Sequence, residues 1–285
     1  NKALAKADLL IMVGTRAADR AITSPDEIQR RMATIHIDVD PAEIGKNMQA
    51  AVPLVGNVKV ILRQILDMGV SSTDSADWLA MLRDYRKAEL SRVFPKRPGS
   101  VFPGTAIRRL GAKLDEDAVV CVDVGQNQIF TCKYFPQKHG RLLTSGGLGT
   151  MGYGLGAAIG AKMGCRDKTV INIAGDGCFR MNMNEIATAT RYNIPVIELI
   201  INNHVLGMVR QWQTLYYGKR YSQTVLNDSV DYVKIAEAMG AKAYRVTQKE
   251  ELAPVLKEAI SLNIPVVIDC QIGCDDKVFP MDILP

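Results

Sequence analysis

Short apolar runs rich in Val and Ile recur along this chain, and between them lie stretches whose apolar residues fall at helical spacing. A buried parallel strand needs such a continuous run, because helices cover both faces of its sheet. The pattern predicts an α/β fold with parallel sheets. Runs at 8–14, 34–40 and 52–55, the last followed by a helical stretch at 58–68, give part of a Rossmann-like domain over residues 1–72. A linker, 73–102, carries one helix marked by Trp78, Leu82 and Tyr85. From Pro103 onward, 103–285, strands at 118–124, 169–174, 196–202, 243–246 and 266–270 alternate with helices at 184–192, 232–239 and 250–262. Residues 1–10 read as an amphipathic helix running into the first strand; with no initiator Met, this predicts a piece of a longer polypeptide.

Charge and cysteine usage narrow the functional classes. The net charge of +5 is spread along the chain without a block of five like charges, which argues against a nucleic-acid partner. The basic cluster Arg83, Arg86, Lys87, Arg92, Lys96 and Arg97 reads as a solvated helix face. Six cysteines without a C-x-x-C pair, several inside apolar runs, predict buried free thiols in a reducing compartment. The sequence shows neither a membrane span nor a secretory signal, so a cytoplasmic protein is expected, or one of an organelle matrix in a eukaryote.

The chemistry concentrates at two strand ends. Ile171-Asn172-Ile173-Ala174-Gly175-Asp176-Gly177 is followed by Leu199-Ile200-Ile201-Asn202-Asn203, with Asn203 standing 27 positions after Asp176. An acid and an amide at the carboxyl ends of two strands supply hard oxygen donors, which suit Mg²⁺ sharing its shell with phosphate oxygens. Gly175 and Gly177 allow a diphosphate to approach the backbone, and a helix starting after Phe179 would point amide groups at it.

This arrangement resembles the thiamine-diphosphate-dependent enzymes, and the likeness extends over nearly the whole chain. It implies Mg²⁺ bound by Asp176, Asn203 and the backbone of Val205. Asp123-Val124-Gly125-Gln126-Asn127 resembles the family loop on the diphosphate, and residues 145–154 resemble the loop under the cofactor. Gly175, Asp176, Gly177 and Cys178 would line the diphosphate. Met151 would hold the two cofactor rings apart, while the Gly149 carbonyl and Met151 amide hold the aminopyrimidine edge.

The segment Gly207-Met208-Val209-Arg210-Gln211-Trp212 resembles the acetolactate (acetohydroxyacid) synthases, whose large subunits decarboxylate pyruvate and join the two-carbon unit to pyruvate or 2-ketobutyrate. Met208, Val209 and Trp212 would then face the 2-keto acid, although Trp212 also reads as a core aromatic. His204 reads as a local hydrogen-bonding residue. In the first domain, residues 14–20 and 35–47 resemble the flavin-contacting segments of that family, which implies FAD near Asp38, Gly56 and Asn57 and brings Arg20 toward the active site. Asp38 equally reads as a capping acid.

The resemblance implies a homodimer or homotetramer and a regulatory small subunit. It also implies that this chain alone is inactive, because the activating Glu belongs to a separate N-terminal domain that nothing here resembles. Another carboligase or decarboxylase on the same scaffold, and a noncatalytic diphosphate-binding or assembly module, remain as alternatives. Departures from the family are Asn127 where many synthases have His, Cys178 where Ser is frequent, Gly156 in place of a common Pro, and a tail after Phe279-Pro280-Met281 that does not continue the usual ending.

Overall fold

A computed structural model describes residues 2–18, 21–22, 24–71, 74–90, 101–137, 139–226 and 229–278. The chain forms two compact units, residues 1–93 with 279–285, and residues 94–278. Arg20, the basic residues Arg92, Lys96 and Arg97, and the tail from Phe279 lie outside the described residues.

In the first unit β1 (Leu9–Val13), α1 (Pro25–Arg31), β2 (Ala33–Asp38), β3 (Val52–Val55), α2 (Val58–Asp67) and α3 (Ala76–Leu90) follow one another. The strands pair in parallel in the order β1-β2-β3. Met12, Ala17, Ile28, Met32 and Met48 pack into a small core. The amphipathic helix expected at the start is a single 3₁₀ turn, Leu4–Lys6, with no buried residue, and the chain is extended by Ala7. Trp78, Leu82 and Tyr85 form the half-buried stripe of α3, and Arg83, Arg86 and Lys87 are exposed on it.

The second unit contains α4 (Pro103–Lys113), β4 (Val119–Val122), α5 (Gln126–Tyr134), β5 (Leu142–Thr144), α6 (Tyr153–Gly164), β6 (Val170–Gly175), α7 (Asp176–Asn182), α8 (Glu185–Arg191), β7 (Ile197–Asn202), α9 (Gly207–Tyr216), α10 (Tyr232–Ala238), β8 (Lys242–Val246), α11 (Lys249–Ser261) and β9 (Val266–Gln271). Its six strands are all parallel, in the order β5-β4-β6-β7-β9-β8. Successive residues of each strand alternate between two cores. Val120, Val122, Ile171, Ile173, Leu199 and Ile268 meet Ile107, Leu110, Leu252 and Leu256 on one side. Val119, Cys121, Ile200 and Val267 meet Leu155, Phe179, Ile186 and Tyr232 on the other. Helices cover both faces, which is why these strands are apolar at most positions. Among the described residues no helix is long and apolar enough to cross a membrane. All six cysteines are free; Cys121, Cys178 and Cys270 are buried as expected, whereas Cys132 and Cys274 are exposed.

Two acids, Glu198 and Asp269, interrupt this apolar interior. Glu198 of β7 is nearly fully buried, and both its oxygens accept from Asn172 Nδ2 of the neighbouring β6, at 2.9 and 2.8 Å. Burial pushes its carboxyl up to about 8; the Asn172 N–H opposes the shift and the Asp123 charge adds to it. Asn172 Oδ1, also buried, has no hydrogen-bond partner, and a protonated Glu198 carries the donor it lacks. Folded Glu198 keeps its proton to about pH 8 whereas an ordinary glutamate releases it near 4.5. The retained proton therefore favours the fold in full below 4.5, and the contribution is lost as pH rises through 8. Urea denaturation should show stability falling between about pH 6 and 8 in the wild-type chain and much less in Glu198→Gln, whose amide pairs reciprocally with Asn172. Equal pH slopes in the two proteins would mean that another group carries the dependence.

Candidate functional site

The strand order sets the site. From β4 the chain crosses to β5 on one side and then to β6 on the other, so a crevice opens above the carboxyl ends of β4 and β6, with β7 next in line. Asp123 follows β4, Asp176 follows β6 and Asn203 follows β7, so three polar residues distant in sequence stand at one sheet edge.

Asp123 anchors the Gly-rich loop. It is 1% exposed; its Oδ1 accepts the N–H groups of Val124 at 2.7 Å and Gly152 at 3.1 Å, and its Oδ2 accepts that of Gly154 at 2.9 Å. Asn182 Nδ2 donates to the Gly152 carbonyl at 2.8 Å from the end of α7. Gly152, at φ +89°, sits where an added Cβ would be 2.7 Å from Met181 Cβ, so the loop passes in close contact with α7. These bonds place Met151 over Gly177, with its Cε 3.5 Å from the position a Cβ on Gly177 would take. Gly149 lies on the exposed part of the same loop in the left-handed region, φ +64°.

Gly125 begins α5 at φ +118° and ψ −157°, backbone angles that only glycine adopts readily. The side chains after it are engaged by the protein itself. Asn127 Nδ2 donates to the carbonyls of Asp123 at 2.7 Å and Ile173 at 3.1 Å, bracing the ends of β4 and β6 together. Gln126 Nε2 donates to Gln211 Oε1 at 2.5 Å and to the Asp276 carbonyl at 3.1 Å. Cys178 Sγ donates to the Val124 carbonyl at 2.9 Å, and burial raises its pKa, so it stays a neutral thiol.

Asp176 is the first residue of α7, which starts directly after Gly175 rather than beyond Phe179 because Gly175 is extended and serves as the N-cap. Asp176 is 1% exposed, and its Oδ2 has no hydrogen-bond partner. Burial lifts its carboxyl to about 6, against the Gly177 N–H bond and the charges of His204 and Arg180. An orphaned buried carboxylate oxygen is costly unless a cation or donor completes it. Beside it the Asn203 Oδ1 accepts the Val205 N–H at 3.1 Å, and Asn203 Nδ2 donates to Gln126 Oε1 at 3.5 Å. His204, between Asn203 and Val205, is left-handed, φ +57°, and its backbone N–H donates to Asn202 Oδ1 at 3.2 Å. Val205 pairs with Val225 in an isolated bridge. Among the described residues no three His, Cys, Asp or Glu side chains gather as a metal cage. One carboxylate with a side-chain amide and a carbonyl at hand fits a hard divalent cation whose remaining ligands are phosphate oxygens or water.

Met208, Val209 and Trp212 lie on α9. Met208 is half-buried, Val209 and Trp212 are exposed, and the Trp212 ring packs against Tyr216 at 5.6 Å. Trp212 is therefore not a core aromatic. Gln211 of the same helix was not singled out by sequence; it is 1% exposed, and besides Gln126 it holds both the N–H and the carbonyl of Val278.

In the first unit, Asp38 and Gly56 meet at adjacent strand ends, the Gly56 N–H donating to the Asp38 carbonyl at 2.9 Å. The side chains there have local work. Asp38 Oδ1 accepts the Asp40 N–H, and Asn57 caps α2 by accepting the Lys59 N–H.

The thiamine pyrophosphate enzyme C-terminal TPP binding domain matches residues 123–270, which include Asp123, Asp176 and Asn203, and the thiamine pyrophosphate enzyme central domain matches residues 1–65, which include Asp38 and Gly56. The chain belongs to the thiamine pyrophosphate enzymes. It is 42% identical over 290 aligned positions to a protein of Mycobacterium bovis named acetolactate synthase, covering 98% of this chain and 47% of that protein. It is 41% identical to a probable acetolactate synthase large subunit of Methanocaldococcus jannaschii, covering 100% and 49%, and 37% identical to the acetolactate synthase large subunit of Haemophilus influenzae, covering 99% and 50%. The chain thus spans about half the length of these relatives.

The loop that Asp123 holds also rests on Gly154, where an added Cβ would be 2.3 Å from Asn172 Oδ1, an atom pinned through Glu198. Gly156 in the same helix has open space around its Cβ position. Gly154→Ala should destabilise the chain by about 1–3 kcal/mol through overpacking, whereas Gly156→Ala should be neutral or stabilise it by about 0.5–1 kcal/mol. Urea denaturation of the two variants measures both, and a Gly154→Ala protein as stable as Gly156→Ala would contradict the close approach.

Proposed function

We propose that this chain is the cofactor-binding half of an acetolactate synthase large subunit. The complete subunit would decarboxylate pyruvate and join the two-carbon unit to a second pyruvate or to 2-ketobutyrate. The observation that carries the reading is the buried Asp176 Oδ2 without a partner, set beside Asn203 at the sheet edge. In this reading Asp176, the Asn203 side-chain oxygen and the Val205 carbonyl hold Mg²⁺. Backbone groups of Gly125, Gln126, Asn127, Gly175, Gly177 and Cys178 surround the diphosphate. Met151 serves as the apolar wedge, with Gly149 beside it. Thiamine diphosphate, when bound, supplies the stabilised carbanion that side chains cannot. The protein's share is to orient that group, to keep water from it and to shape the pocket for the second keto acid through Met208, Val209 and Trp212. FAD against Asp38, Gly56 and Asn57 completes the proposal, with Arg20 a site residue by family resemblance. A homodimer or homotetramer, a regulatory small subunit and a cytoplasmic location belong to the same reading; the smaller partner is supported by relatives named large subunits.

The metal assignment is tested with a full-length large subunit bearing this chain. Asp176→Ala should remove Mg²⁺-dependent binding of thiamine diphosphate in calorimetry while the circular dichroism stays native. Unchanged cofactor affinity would sink the assignment.

The isolated 285-residue chain should form no acetolactate from pyruvate. Activation needs a carboxylic acid at the aminopyrimidine, which the family resemblance places in a different domain. Glu185, the first acid after the Asp176 loop, is occupied on α8, accepting from Asn184 Nδ2 and the Thr188 hydroxyl. Adding the remaining half as a separate polypeptide should restore turnover; acetolactate from the purified chain alone would mean that the essential acid lies within it.

A further inference from the structure

Behind the turn that carries Asn203 and Val205 runs a row of polar side chains across the carboxyl edge of three strands. Asp231 caps α10, its Oδ1 accepting the N–H groups of Val233 and Lys234. Arg245 of β8 donates through Nη2 to Asp231 Oδ1 at 2.5 Å and through Nε to Asp269 Oδ2 of β9 at 3.3 Å. The other oxygen, Asp269 Oδ1, accepts from Asn202 Nδ2 of β7 at 2.8 Å. Asn202 Oδ1 in turn accepts the His204 N–H at 3.2 Å. Asp269 and Asn202 are 2% and 1% exposed.

The row has a direction. A carboxylate accepts and cannot donate, so Asp269 takes only the N–H end of the Asn202 amide and leaves the oxygen end facing His204. That oxygen secures the backbone at a left-handed residue, φ +57°, which a side chain with a Cβ adopts only when its surroundings enforce it. The left-handed step lets Asn203 Oδ1 close a second turn on the Val205 N–H. The 224–226 segment steadies the turn from the far side, the Leu226 N–H donating to the His204 carbonyl and the Leu206 N–H to that of Thr224.

We infer that Asp269 is a positioning residue for the metal-binding turn: fixed by Arg245, it sets the orientation of Asn202 and thereby the backbone that presents Asn203 and Val205 beside Asp176. This deepens the proposed Mg²⁺-diphosphate reading and rests on it for the ligand, though not for the turn. A merely structural Asp269 would stitch β8, β9 and α10 together through Arg245 and leave the turn indifferent.

Amide hydrogen exchange on the 285-residue chain separates the two without any ligand. In Asp269→Asn, whose side chain can present an N–H to Asn202 and so permit the amide to turn over, the His204 and Val205 amides should exchange at least roughly ten-fold faster, while those of β8 and α10 keep their protection. Asp231→Asn keeps an N-capping oxygen but removes the charge facing Arg245, and should leave His204 unchanged. Asn202→Ala, which leaves the Asp231–Arg245–Asp269 pairs intact, should expose the same two amides and give the test a second variant if Asp269→Asn does not fold. In a full-length subunit with thiamine diphosphate, Mn²⁺ as the spectroscopic probe should bind roughly ten-fold more weakly in Asp269→Asn, the range seen when a partner of a ligand is removed. A His204 amide as protected in Asp269→Asn and Asn202→Ala as in the wild type, or one that loosens only in step with β8 and α10, would overturn the inference. Mn²⁺ binding that is insensitive to Asp176→Ala would instead overturn the metal reading and leave the exchange result to decide the turn.

Discussion

The pairing of β6 between β4 and β7 is the constraint on which the rest of the second unit depends. Ile173 lies opposite both Val122 and Leu199; β4 ends at that level, β6 two residues beyond it and β7 three, so the strand ends form a stepped edge. Where the ladders stop, backbone groups need other partners, and the polar residues at the strand ends provide them. Asp123 donates its N–H to the Ile173 carbonyl and receives three N–H groups on its carboxylate. Asn127 ties the same two strands from the other side. The edge that could hold a diphosphate is thus first a solution to a hydrogen-bonding problem of a buried parallel sheet, with the ligand surface formed by what is left over.

What is left over is unfavourable for the protein alone. Asp176 is held with one oxygen unpaired and its carboxyl lifted to about 6, and Glu198 beneath the same edge is lifted to about 8. Groups in this condition draw stability from the fold. They differ in their remedy. Glu198 is sealed between strands and resolves its position by keeping a proton, with Asn172 as the natural partner for it. Asp176 heads a helix at an open crevice, where a divalent cation can complete it. Two buried acids on neighbouring strands therefore read differently, one as structure and one as site.

The strands of the second unit were readable from the sequence because burial on both faces leaves them mostly or wholly apolar, wholly in Val119–Val122 and in all but Glu198 and the final Asn202 of Ile197–Asn202. β5 escaped notice: three residues, half-exposed at the sheet edge, carry no such signal. α5 escaped for a different reason, since Gln126, Asn127 and Thr131 are buried polar residues whose partners lie across the fold, so no apolar stripe marks the helix. Asp176 and Asn203 were found by their spacing at strand ends. Asp123 and Gln211 were not given a role, because their partners stand 29, 31, 67 and 85 positions away and only the folded sheet brings them within reach.

The departures from the family pattern can be understood in the same terms. A thiol at 178 performs the local task open to a hydroxyl, donating to the Val124 carbonyl, and burial keeps it protonated and chemically quiet. Asn127 in place of an imidazole supplies two donors on one nitrogen, enough to bridge the Asp123 and Ile173 carbonyls that a single ring N–H could not span together. Gly156 stands in open space within α6, so no close contact demands a residue with less bulk there. Gly154, two positions earlier, has the opposite situation: the Asn172 amide fills the place of a side chain, and through Asn172 the buried Glu198 bears on the helix that carries the cofactor loop. Tolerance and constraint alternate within one turn of helix, decided by which residue the sheet beneath happens to touch.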